Sequence, residues 1–490
     1  MELYREELMY INGQEVESVS GRWMDVENPS HIGTLAGKAP RANAEDVDLA
    51  VRAAHAAFPA WKNMQAKDRA RLLMKIADEV EKVQEEIGYT IASENGNAIR
   101  TQARGEAKNG VERFRYYGCY GYEIKGTTYP GPNNLMCYSR REPLGVVAGI
   151  TPWNAPVQLA VAKMGAALVT GNTMVLKVAS DAPLAAMRVA KIAARLLPPG
   201  VLNVISGPGG ECGEALCSHP LVAKISLTGS TEVGKSVMHH AADRILNTTM
   251  ELGGKNPQIV FEDCPIVETA KGLIPGARIA RQGQSCSSGS RVYIHRSIFK
   301  EMTTQLAAEM AKLKVGDACD EASDLGAITS KGQVDKIVKY IEQAKNTQGV
   351  QMLTGGLPDP NGPLGCGYHV LPTVFTCEDD NTFLSKFELF GPIIACIPFD
   401  TEEEAIRMAN DTAYGLAAFV WSKDTARAIR VAHQIDAGWV MVNSGGAQVQ
   451  GHPYGGMKES GLGREHCLEG MLESFTELKG YIVNMEYATK

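Results

Sequence analysis

The stretch that decides the fold runs from Leu144 to Ser230. In it four short apolar runs, LGVVAGI (144–150), TMVLKVA (173–179), VLNVISG (201–207) and AKISLTG (223–229), each lead into a turn. Between them lie segments of helical period, such as Ala182 to Leu197, closed by Pro198-Pro199-Gly200. Buried strands alternating with helices are the mark of βαβ units, and these assemble into a parallel sheet covered on both faces. The reading is an α/β domain of the Rossmann, nucleotide-binding type. A second α/β series begins near Asn256: PQIVF (257–261), RVYIH (291–295), VFTC (374–377), PIIACIPF (392–399), AAFVWS (417–422) and WVMVN (439–443). A helix over Ser297 to Lys314 lies among them, and this half is expected to carry the chemistry.

Working outward, Leu8, Tyr10 and Ile11 before Asn12-Gly13 predict a short hairpin. Helices are expected over 44–61 and 66–94. In the second, Leu72, Leu73, Ile76, Ala77, Val80, Val83 and Ile87 form one apolar stripe, and Asn95-Gly96 ends it. The Pro/Gly-rich stretch Gly355 to Gly367 reads as a surface loop.

At 490 residues the chain is too long for one core, so two or three domains are expected. A net charge of -7 without any Lys/Arg block argues against a nucleic-acid partner. MELYREELMY lacks a basic-then-apolar leader pattern, and no apolar run approaches the roughly 18 residues that span a bilayer. A soluble protein with no membrane partner is expected. The eleven cysteines are scattered, which suits reduced thiols in a cytoplasm. With no CxxC pair, no HExxH, and His239 directly beside His240, no metal is expected.

Five stretches can carry chemistry. In GQSC (283–286) a cysteine stands among small polar residues, Ser285, Ser287, Ser288 and Gly289, and not in an apolar strand, so a substrate has room beside Cys286. In MELGGKNP (250–257) Glu251 sits in a semi-apolar context, where a carboxylate has a raised pKa and can serve as a general base. GITPWNAP (149–156) lies at the C-terminal end of a buried strand, where Asn154 could aim its amide at a developing oxyanion. KVAS (177–180) and GSTEVG (229–234) lie at strand ends leading toward helices, where backbone N–H groups approach phosphate. Singly, each has a bland reading: a loop cysteine, an exposed carboxylate before a turn, a turn asparagine, a surface lysine.

Together with FELFGPI (387–393), YGLAAFVWS (414–422) and PYGGMKESGLGRE (453–465), these stretches resemble the aldehyde dehydrogenase superfamily in order and spacing over essentially the whole chain. The resemblance implies that Cys286 is the nucleophile and Glu251 the general base, and that Asn154 with the Cys286 backbone N–H forms the oxyanion hole. It implies an NAD or NADP cofactor: Lys177 at the adenosine ribose, Gly229 and Ser230 beside the pyrophosphate, Trp153 at the nicotinamide side, Glu388 and Phe390 at the nicotinamide ribose. Ile150, Thr151, Gly210 and Leu252 complete the implied cofactor contacts. Many NAD-preferring members carry a glutamate where this chain has Ser180, so NADP tolerance is expected as well.

The implied substrate pocket includes Leu159, Ala162, Ser285, Ser287, Gln448 and Tyr454, with Phe114, Tyr117 or neighbours on one helix. Ala162 stands where an aromatic residue is common, which suggests a wide tunnel and a bulky, aromatic or hydroxylated aldehyde. Two departures from the family pattern stand out: Arg281 replaces a usual asparagine before the nucleophile, and Tyr454 replaces a phenylalanine. The implied organisation is a cofactor-binding domain of 1–122 and 143–252, a catalytic domain of 253–470, and an arm of 123–142 and 471–490 that makes a homodimer or homotetramer. Alternatives are a CoA-acylating dehydrogenase, a cofactor-independent cysteine esterase, and a catalytically silent binding protein on the same fold.

Overall fold

The computed structural model describes residues 4–447 and 449–487. Its largest sheet has eight strands in the order Gly461–Leu462, Asn247–Glu251, Val222–Thr228, Val146–Ile150, Thr173–Val178, Leu202–Ser206, Met9–Ile11 and Gln14–Val16. The five strands from 146 to 251 are parallel and almost wholly buried, as expected of apolar runs covered on both faces. The predicted hairpin at Asn12-Gly13 pairs antiparallel onto one edge. Gly461–Leu462 pairs antiparallel onto the other edge, beside Glu251.

Chain order runs outward from Val146–Ile150 in both directions, so the sheet reverses between Val146–Ile150 and Val222–Thr228. A crevice opens at the carboxyl ends of such strands, and ligands bind there in open α/β sheets.

A second sheet of seven strands takes the order Val350–Gly356, Leu371–Cys377, Ile393–Phe399, Arg291–His295, Pro257–Val260, Ala417–Trp421 and Trp439–Val442. It is parallel except for its first pair. Every apolar run expected to form a strand does so. Thr476–Asn484 pairs along its whole length with Leu135–Pro143, which also pairs with Thr128–Tyr129; Tyr138 and Tyr481 stack at 4.8 Å. This small sheet leaves Leu478 and Ile482 exposed.

Two boundaries differ from expectation. The helix expected over 66–94 is two helices, Ala66–Glu81 and Gln84–Asn95, with a turn at 82–83. The break lets the second helix pack on Leu184–Arg195, where Glu94 accepts hydrogen bonds from the backbone N–H groups of Leu184 and Ala185. The first residues of the expected loop 355–367 close the strand Val350–Gly356, and a short helical turn follows at Pro363–Cys366. No helix among the described residues is long and apolar enough to cross a membrane.

Candidate active site

The cysteine loop is built around left-handed backbone. Arg278 (φ 55°), Gln282 (φ 50°) and Gly283 (φ 65°) all lie in that region, and a side chain at 283 would collide with the Gly391 carbonyl. Non-glycine residues there store strain, which persists only where surroundings over-determine the backbone. The surroundings do so here. Asn256 donates to the carbonyls of both Cys286 and Ser288 at 2.8 Å, Gln282 donates to Gly96 O at 2.9 Å, and the Ser288 hydroxyl donates to Ala277 O at 2.8 Å. Gly254 lets its strand end approach the loop, since a Cβ there would strike the Cys286 carbonyl.

Asn154 sits just before the helix Pro156–Thr170, whose proline at the first position needs no N–H partner. Its amide donates to Gln284 O at 2.9 Å and so fastens the strand-end turn to the cysteine loop. The Cys286 backbone N–H has no acceptor among the described residues. Glu251 ends its strand buried, and neither carboxylate oxygen has a hydrogen-bond partner among the described residues. Cys286, Asn154 and Glu251 line one cavity of about 540 Å³.

Leu159, Ser285, Ser287 and Tyr454 line it too, as expected. Ala162, Phe114 and Tyr117 do not: all three are buried in helix packing, with the Tyr117 ring lying against Gly165. The same helix turns Asn109 and Arg113 to the cavity instead. The width expected from Ala162 therefore does not arise there. Gln448 lies outside the described residues.

Burial pushes the Cys286 thiol up to about 11, partly offset by the Tyr454 hydroxyl 3.5 Å away. Burial and the nearby Glu465 carboxylate hold Glu251 well above the usual carboxylate range. Glu465 is tied to the buried Lys163 ammonium at 2.9 Å. Burial also keeps His466 well below its ordinary value, hence neutral, and its ring stacks on Tyr454 at 5.2 Å.

Arg281 lies 3.6 Å from the fully buried Glu106, which accepts from the N–H groups of Val157 and Gln158 at the start of the helix behind Asn154. The arginine that departs from the family pattern thus supports the turn carrying the oxyanion-hole candidate.

The implied cofactor residues gather at the sheet reversal. Ile150 ends its strand opposite Lys177 and Leu227, with Thr151 just beyond. Gly229 and Ser230 precede the helix Thr231–Ala242, which Ser230 caps by accepting from Val233 N. Leu252 packs over Gly234, and Gly210 lies in an open turn with free space around it. From the second sheet's side, Glu388 accepts from Gly254 N at 3.0 Å, and Phe390 meets Trp153 edge-on at 5.4 Å. Ser180 donates to Gly207 O at 3.1 Å.

A nucleotide fits these residues. Lys177 is 5% exposed yet forms no ion pair among the described residues, and the buried Thr151 hydroxyl has no partner. Both are donors at the strand ends of the sheet reversal with no acceptor among the described residues.

Residues 16–481 match the Aldehyde dehydrogenase family. The protein DhaS of Bacillus subtilis (strain 168), aldehyde dehydrogenase-like by name, is 39% identical over 98% of this chain and 96% of its own length. The NAD+ complex of aldehyde dehydrogenase from Bacillus cereus superposes with a TM-score of 0.94 at 37% identity, covering 98% of this chain and 97% of that one. Betaine aldehyde dehydrogenase (betB) from Staphylococcus aureus, also with NAD+, gives 0.94 at 32% identity over 98% and 95%. The chain belongs to the aldehyde dehydrogenase family and is an oxidoreductase.

Proposed function

We propose that the protein oxidises an aldehyde to its carboxylic acid, with Cys286 as nucleophile, Asn154 and the Cys286 N–H as oxyanion donors, and Glu251 as general base. The observation that carries this reading is that a thiol, an amide donor and an unpartnered carboxylate line one cavity. The thiolate adds to the carbonyl carbon and charge moves onto oxygen, where the Asn154 amide and the Cys286 N–H stabilise it. NAD, when bound, supplies the acceptor for the hydride that leaves this carbon. The acyl group then stays on Cys286 as a thioester. Glu251, free of hydrogen-bond partners, takes a proton from water; the hydroxide attacks the thioester, and the acid leaves as the thiolate returns.

Lys177, Gly229, Ser230, Glu388 and Phe390 would hold the nucleotide, with Ile150, Thr151, Trp153, Gly210 and Leu252 around it. The NAD+ complexes of the two relatives support NAD, and the neutral Ser180 supports tolerance of NADP, since no carboxylate there repels a 2′-phosphate. Two α/β units, 1–122 with 143–252 and 253–470, would then enclose the site between them. The exposed Leu478 and Ile482 on the sheet formed by 135–143 and 476–484 support a homo-oligomeric arm. A cavity of about 540 Å³ that includes Trp439 and Tyr454 admits a bulky or hydroxylated aldehyde.

The test is NADH formation across an aldehyde panel, with the free acid identified as product in the absence of CoA. An acyl adduct trapped on the Cys286 peptide supports the mechanism. Full oxidation by Cys286→Ala overturns it.

A further inference from the structure

We infer that the natural substrate is an aldehyde carrying a second, oxyanionic group, held by Arg113 and Arg278; this rests on the aldehyde dehydrogenase reading of the same cavity. Three guanidiniums line that cavity: Arg113, Arg278 and Arg281. Among the described residues only Arg281 has a carboxylate partner, Glu106 at 3.6 Å.

Arg113 is 5% exposed and forms no ion pair among the described residues. Its Nε and Nη1 are buried without partners, and its Nη2 reaches only the neutral His466 ring at 3.5 Å. Arg278 likewise has no carboxylate. Its Nε meets Ser287 Oγ at 3.3 Å and its Nη1 meets Gly445 O at 3.2 Å, while Nη2 is buried and unpartnered. The Arg278 guanidinium lies over the Trp439 ring at 5.4 Å, which fixes its plane.

An unpaired cation away from water is costly, and two in one cavity make a site for an anion. The cavity's own carboxylates do not fill it. Glu465 is engaged through one oxygen by Lys163 at 2.9 Å, and neither it nor Glu251 forms an ion pair with Arg113 or Arg278 among the described residues.

Both cations line the cavity that holds the sulfur. Arg278 bonds to the residue after Cys286, and Arg113 touches the ring stacked on Tyr454, whose hydroxyl contacts the sulfur. A substrate whose carbonyl is at Cys286 therefore has a guanidinium within reach of a carboxylate or phosphate farther along its chain. The guanidinium fork matches either group.

The test compares 4-oxobutanoate with its methyl ester, and glyceraldehyde 3-phosphate with glyceraldehyde, in NAD-linked oxidation by the full-length enzyme. The expected result is a kcat/KM for at least one anionic probe that exceeds its neutral counterpart by about tenfold or more, mostly through KM. The preferred probe tells carboxylate from phosphate. Arg278→Gln and Arg113→Gln should each shrink that ratio, with Arg278→Lys restoring part of it; either variant suffices if the other fails to fold. Equal or better turnover of both neutral probes overturns the inference and leaves the dehydrogenase reading standing. Should no aldehyde be oxidised, succinate and inorganic phosphate serve as binding probes in calorimetry. Arginine-dependent binding of one, absent for dimethyl succinate, upholds the anion site while the dehydrogenase reading falls; no binding of either overturns the site as well.

Discussion

The phenol of Tyr454 stands 3.5 Å from the sulfur of Cys286 and stacks on His466 behind it. A hydroxyl so placed donates to the thiolate and favours it, against a burial that pushes the thiol up to about 11. With Cys286 as the proposed nucleophile, kcat/KM should rise with pH as its thiol loses its proton. Tyr454→Phe removes the stabilising donor, so the rise should move to higher pH and the rate near pH 8 should fall by about threefold to tenfold. A pH profile identical to that of the parent enzyme would show that the contact has no bearing on the thiol.

Glu251 has both oxygens free and faces the cavity. If it serves release of the acid and not formation of the thioester, Glu251→Gln should still give a burst of NADH equal to the enzyme present, followed by very slow turnover. Stopped-flow absorbance reads this directly; loss of the burst together with the steady rate would move Glu251 to an earlier step. Asn154→Ala should lower kcat by roughly a hundredfold or more, about 3 kcal/mol, through loss of the oxyanion donor.

The Glu106–Arg281 pair lies under the turn bearing Asn154. Arg281→Asn removes the nearest cation from a buried carboxylate whose hydrogen bonds come from backbone N–H groups, and breaking a buried pair in this way costs about 3 kcal/mol or more. Both the unfolding temperature and kcat should drop. Calorimetry showing an unchanged transition would mean the pair contributes nothing to the support of that turn.

Ser180 lies two residues past the strand Thr173–Val178 and donates to Gly207 O. Ser180→Glu introduces a charge that repels a 2′-phosphate while a ribose hydroxyl can still donate to it. The ratio of NADP to NAD efficiency should fall by about tenfold or more. A parent enzyme inactive with millimolar NADP would remove the premise.

Ile482 is 75% exposed on the strand that pairs with 135–143. With the proposed arm joining subunits, Ile482→Arg should lower the particle mass in light scattering while leaving the far-ultraviolet spectrum intact. An unchanged mass would place the subunit contacts elsewhere.

Much of this was legible because backbone pattern and motif are local. The runs from Val146 to Thr228 announce strands by burial on both faces, and GQSC and ELGGK single out Cys286 and Glu251, which the fold brings to one cavity. The break at 82–83 was not legible, since the stripe from Leu72 to Ile87 continues at helical period and only the docking of Gln84–Asn95 on Leu184–Arg195 interrupts it. Ala162, Phe114 and Tyr117 failed as cavity residues because which side of a buried helix meets a void is decided by its neighbours. Arg113 was missed although a signal existed: Glu106, Gly110, Arg113 and Tyr117 share one buried helical face, and a charge there asks for a partner. Arg278 gave a similar sign, as a lone charge in Gly-Ala-Arg-Ile-Ala.

The short strand Gly461–Leu462 has one more consequence. It closes the edge beside Glu251, so the main chain there is laced on one side to Thr228 and on the other to Gly461. The residue is a fixed pivot: its backbone is held on both sides, while its carboxyl makes no hydrogen bond among the described residues. Any change in the reach of this group between one half of the reaction and the next must come from torsion about its own side-chain bonds, with no loop opening or closing to carry it.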